Sequence, residues 1–79
     1  MPVYIVVEIQ TNNDGTVGTL VNSYNDRNVA ESKFHQVLSA AAISQLPVHS
    51  CVLMTNEGFF LDSKSYTRDI PEQNEYQEN

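Results

Sequence analysis

The sequence predicts an α+β domain of ββαββ pattern: a four-stranded antiparallel sheet, order 2-1-3-4, with one helix packed on one face. Three observations lead there. The stretch from Asp26 to about Ser44 has helical periodicity. Two pairs of strand-like stretches flank it, each pair joined by a turn containing glycine. The first and third of those strands are the most apolar on both faces, which suits the centre of a sheet.

Residues 3–10, Val-Tyr-Ile-Val-Val-Glu-Ile-Gln, read as strand one. Val3, Ile5, Val7 and Ile9 line one face; Tyr4, Val6, Glu8 and Gln10 line the other. Asn12-Asn13-Asp14-Gly15-Thr16 is the turn, and residues 17–24 return as strand two. With Asp14-Gly15 as the two loop residues, Ile9 faces Leu20 and Ile5 faces Tyr24. A bulged loop would shift the register by one and set Val7 beside Val21. The first register is preferred because it puts Leu20 and Tyr24 on the apolar face.

The helix follows. Ala30, Phe34, Val37, Leu38 and Ala41 fall on one helical face, with Glu31, Ser32, His35, Gln36 and Ser39 opposite. Asp26 or Asn28 can cap the first turn, and Asn28 with Glu31 resembles a capping box. Pro47 cannot continue the helix and pushes Leu46 toward an extended conformation. At 1.5 Å per residue the helix is roughly 25–30 Å long, enough to cross a small sheet. Residues 48–55 then form strand three, Asn56-Glu57-Gly58 turns the chain, and residues 59–66 form strand four. In strand four, Phe59 and Leu61 fall on one side, Phe60 and Tyr66 on the other.

Topology narrows the order. A helix leaving strand two and returning to the same sheet makes a right-handed crossover. Strand three docking beside strand one gives 2-1-3-4, with every neighbour antiparallel. One sheet face takes the helix. The other has no covering element in 79 residues. Tyr4, Val6, Val21, Leu53 and Phe60, together with Cys51, are expected there. An uncovered face of this kind marks an interaction surface, for a second copy or for a host or viral protein partner.

The chain reads as one domain over 1–68 followed by an acidic, disordered tail over 69–79. A core this small makes self-association a live expectation. The net charge is −6. Residues 1–68 hold six acids and all four bases, and the tail holds the other four acids. No basic surface is available to release counterions from a nucleic acid, so no nucleic-acid partner is expected. The longest apolar run, Val3 to Val7, is too short to span a membrane. The N-terminus lacks the basic segment of a signal peptide. The expected location is therefore intracellular, with no membrane partner. The single cysteine, Cys51, excludes an intramolecular disulfide.

Chemistry-bearing residues are sparse. His35, His49 and Cys51 do not form the four-ligand pattern of structural zinc, so no metal and no cofactor is expected. Glu31 and His35, spaced i, i+4, could pair as a carboxylate and the base it orients; a plain surface pair is the favoured reading. No glycine-rich phosphate loop precedes the helix. Lys64, Tyr66 and Arg68, with His49, could contact an anionic ligand such as a nucleotide signal in a pocket between protomers. No nucleophile–base pair is recognisable, and no enzymatic activity is expected.

Three stretches carry a family likeness: Tyr4-Ile-Val-Val-Glu-Ile-Gln-Thr11; Asp14-Gly15-Thr16; and Ala30 to Ala42 running on to Leu46-Pro-Val-His-Ser50. They resemble small uncharacterised proteins encoded by phages and prophages of gut bacteria. The resemblance covers roughly residues 3–68, and those proteins also tend to end in acidic tails. It transfers no catalytic residue. It implies a viral accessory or virion-associated protein that acts by binding, in the host cytoplasm or in the particle.

Overall fold

The computed structural model describes residues 2–68. The elements run β1 (Tyr4–Thr11), β2 (Val17–Tyr24), α1 (Arg27–Ala42), β3 (Val48–Thr55) and β4 (Phe60–Thr67). The four strands form one sheet of order β2-β1-β3-β4, antiparallel throughout, and the helix packs on it. The fold class, the strand order and the packing of one helix on one face are those the sequence predicts; the face it covers is the other one. The acidic tail expected over 69–79 lies outside the described residues.

The first hairpin differs from expectation by one residue. Val7 faces Val21 and Ile9 faces Thr19. The loop closes with Asn12 N–H donating to Thr16 O at 2.8 Å and Gly15 N–H to Asn12 O at 2.9 Å. Gly15 sits at φ 90°, while no described non-glycine residue has a positive φ. A two-residue Asp-Gly turn of type I′ would need positive φ at both positions. The chain instead makes a three-residue loop, a type I turn followed by a left-handed glycine. The Asp14 carboxylate holds it by accepting from Thr16 N–H (3.0 Å) and Thr16 Oγ1 (2.7 Å). The second hairpin repeats the device: Thr55 N–H donates to Phe59 O, Gly58 N–H to Thr55 O, and Gly58 lies at φ 94°.

That one residue decides which sheet face is buried. In a strand of L-residues, the side a side chain takes and the neighbour its backbone groups address are coupled. Asn12 bonds to Thr16, so the even residues of β1 address β2. Given the strand order and a right-handed crossover from β2 through α1 to β3, those even residues share the helix side. The helix therefore covers Tyr4, Val6 and Glu8. The core is Val6, Cys51 and Leu53 from the sheet against Ala30, Phe34 and Val37 from the helix, with Tyr4, Tyr24, Leu38 and Leu61 packed around it.

The helix itself follows its periodicity: Ala30, Phe34, Val37 and Ala41 are buried. Asp26 is the N-cap, accepting from Asn28 N–H at 2.8 Å. Glu31 pairs with Arg27 at 2.8 Å, so it completes neither the capping box with Asn28 nor the pair with His35. Charge and reach both favour Arg27 at the i, i−4 position. His35 stands exposed in an edge-to-face contact with Phe34, centroids 5.4 Å apart. No described helix is long and apolar enough to cross a membrane.

Candidate functional site: the open sheet face

The face away from the helix carries Ile5, Val7 and Ile9 of β1 beside Val48, Val52 and Met54 of β3, in register Ile5–Met54 and Val7–Val52. Val17 and Val21 extend it on one side, 60% and 62% exposed, and Phe60, opposite Met54, on the other at 73%. The flanking positions are Thr19 and Ser23 on β2 and Ser63, Ser65 and Thr67 on β4. No described element lies over this face. No acid, base or histidine stands at any of these positions. An apolar centre with an uncharged hydroxyl rim is the composition of a contact surface.

Of the five residues expected on this face, Val21 and Phe60 are there. Tyr4, Val6 and Leu53 are not. Val6 and Leu53 are 1% and 2% exposed beneath the helix, and Tyr4 is half-buried beside them. Cys51 is likewise fully buried. The cause is the hairpin register: moving the loop by one residue exchanges the two faces of β1. Ile5, Val7, Ile9, Val52 and Met54 are the residues missed. The signal available for them was the length of the loop closed by Gly15.

The four residues expected to contact an anion are partly brought together. Tyr66 lies opposite His49. The Lys64 ammonium is 5.2 Å from the Tyr66 ring centroid and the Arg68 guanidinium carbon 5.9 Å, both within cation–π range. Arg68, however, is already engaged. Its Nη2 donates to Ala41 O, its Nη1 to Leu46 O at 3.4 Å, and its backbone N–H to Pro47 O at 2.8 Å. It thus adds a charged donor to Ala41 O in the last turn of the helix, which already accepts from Ser44 N–H, and holds Leu46 O in the segment beyond, in the favourable sense of the helix dipole. His49 is 4% exposed and turned inward. Lys64 alone of the four is exposed.

His49 has a partner that the sequence did not reveal. Its Nε2 lies 2.6 Å from Glu8 Oε2, and Gln10 Nε2 donates to the same oxygen at 2.8 Å. Burial raises the Glu8 carboxyl, but the bonds from His49 and Gln10 and the charges of His49 and Lys33 outweigh it, and the net shift is downward. The ionised carboxylate only accepts, so His49 Nε2–H donates. His49 Nδ1 is buried and unpartnered. Cys51 stands directly across from Glu8. Burial, and then the Glu8 charge, push its thiol up to about 11. A neutral, buried thiol is a poor nucleophile, and the Glu8–His49 pair turns neither ring nitrogen to solvent. This cluster is a polar inclusion in the core. Among the described residues, no three of His, Cys, Asp and Glu are grouped to hold a metal ion. No protein-family model, curated protein or solved structure matches the chain.

Proposed function

We propose that this is a non-enzymatic accessory protein of phage type that acts through protein–protein contacts of its open sheet face and self-associates. Its work would be to inhibit a host defence factor or to take part in a particle, inside the host cell or in the virion. The observation that supports this reading is the uncharged, apolar face of Ile5, Val7, Ile9, Val52 and Met54 on a chain of net charge −6. Water contact at that face is unfavourable by roughly 25 cal/mol for each Å² of apolar surface, and a protein partner removes it. The likeness to phage and prophage proteins supplies the viral setting. The alternative, a protein that sequesters a small anionic ligand between protomers, keeps Lys64 and Tyr66 but loses His49 to the core and Arg68 to the helix end.

The test places charges where the face is open. Val7→Lys and Val52→Lys, made singly and together, add like charges at two directly opposed positions without touching the core. Circular dichroism checks the fold. Sedimentation velocity reads self-association, and quantitative capture from host lysate reads partner binding. Loss of either one in the folded variants supports the proposal. Association and capture both unchanged would end it.

A further inference from the structure

The two edges of this sheet are built differently. β4 is guarded: Leu61 interrupts its register with β3, and Asp62 and Lys64 add charges beside the interruption. Bulges and charges are the usual means by which an edge strand avoids pairing with another chain. β2 has neither. It is eight residues, Val-Gly-Thr-Leu-Val-Asn-Ser-Tyr, in unbroken register with β1, without a charge or a proline, and exposed along nearly its whole length.

The backbone groups that β2 offers can be identified. Asn12 N–H bonds to Thr16 O, so alternate residues Gly18, Leu20 and Asn22 address β1. Thr19, Val21 and Ser23 direct their N–H and C=O groups to the free side, because among the described residues β2 is the end of the sheet. We propose that β2 pairs antiparallel with β2 of a second copy, about a two-fold axis through Val21, so that two four-stranded sheets become one of eight strands. This rests on the self-association in the functional reading above and names the surface that carries it.

A second copy fits because the strand is complementary to itself. About Val21, Thr19 falls opposite the partner subunit's Ser23, two hydroxyl side chains on the open face. On the helix side, Leu20 falls opposite Asn22 of the partner subunit, and Gly18 opposite Tyr24 of the partner subunit. A Cβ at Gly18 would meet nothing within 4 Å, so nothing at that position obstructs an incoming strand, while Tyr24 stays packed on its own core. No charge meets a like charge along the ladder, although each chain carries −6. Residues of the same face meet, so both helices stand on one side and the two open faces join into one continuous uncharged surface.

The experiment uses the full chain. Thr19→Pro removes an N–H that points away from β1 and so spares the ladder that holds the hairpin; Thr19→Ala is its control, with the N–H retained. Sedimentation equilibrium reads assembly and NMR hydrogen exchange reads the amides. The expected result is a dimer for the unmodified chain and for Thr19→Ala. Thr19→Pro should weaken association about tenfold or more. The amides of Thr19, Val21 and Ser23 should exchange slowly in the dimer. A monomeric unmodified chain overturns the proposal, and so does a dimer that persists undiminished in folded Thr19→Pro. If Thr19→Pro does not fold, the unmodified chain decides: fast exchange at Val21 beside slow exchange at Leu20 and Asn22 overturns the pairing, and slow exchange at all three supports it. The functional reading fails separately, through association and capture both unchanged in Val7→Lys and Val52→Lys, which leave the edge intact; loss of the dimer in those folded variants would put the contact on the open face and overturn the edge pairing.

Discussion

Glu8 and His49 meet diagonally across the two central strands, His49 Nε2 donating to Glu8 Oε2 at 2.6 Å beneath the helix. Neither is the other's direct cross-strand neighbour: Glu8 faces Cys51 and His49 faces Gln10. The side chains are 16% and 5% exposed. Diagonal neighbours in a sheet are within reach of long side chains, and here the reach places a charged group at the margin of the apolar core.

Acid should find that pair first. The folded Glu8 carboxyl lies below its ordinary value of 4.5. A depressed carboxylate contributes stability that is fully present above the unfolded value and is lost as pH falls through the folded one. Urea midpoints should therefore hold from pH 7 to about 5 and decline below 4.5. Glu8→Gln should lower stability at pH 7 by about 1 kcal/mol, through loss of a charge-assisted bond. It should also flatten the decline in acid. Parallel pH profiles for the two proteins would show that Glu8 is not the group responsible.

Cys51 should be silent toward thiol reagents in the native protein. It is fully buried, and its thiol is pushed up to about 11. Modification by iodoacetamide at pH 8 should run about a hundredfold or more slower in buffer than in guanidinium, since it must wait for opening of the core. Equal rates in the two solvents would mean that the sheet and helix separate far more readily than this packing implies.

The helix–sheet contact rests on Phe34, which is 1% exposed at the centre of the core. Phe34→Ala should cost about 3–5 kcal/mol, a large part of the total stability of a domain this small. Ile43, 84% exposed just past the helix, provides the comparison. Ile43→Ser should stay within about 0.5 kcal/mol of the unmodified chain in chemical denaturation. Similar losses at both positions would contradict the packing.

The architecture was legible because its signals are redundant. The helical face of Ala30, Phe34, Val37 and Ala41, the stop at Pro47 and the turn glycines each indicate the same elements, and crossover handedness leaves one natural order. The buried face was not legible from periodicity. β1 alternates Tyr4, Val6 and Glu8 with Ile5, Val7 and Ile9, and by hydrophobicity the second set is the better core. Smaller Val6 and Cys51 instead lie under the helix, and the bulkier set is left open. Glu8 and His49 were hidden for the same reason: each looks like a polar strand residue until the face it shares is known. Arg68 read as a free cation because its partners, the carbonyls of Ala41 and Leu46, are backbone atoms 22 or more residues away.

The three-residue loop closed by Gly15 gives this small protein an unusual kind of mutational tolerance. Most point changes at its surface alter one side chain. Residues lost or gained between Asn12 and Thr16 behave differently again, because the parity of β1 is set by the pair that closes the loop and not by the number of residues inside it. A two-residue loop between the same Asn12 and Thr16 would keep Tyr4, Val6 and Glu8 under the helix and Ile5, Val7 and Ile9 outside. Only sliding the closing pair to Asn13 and Thr16 turns the central strand over. The hairpin tip is thus a place where the chain's length can drift while both surfaces of the sheet are inherited unchanged.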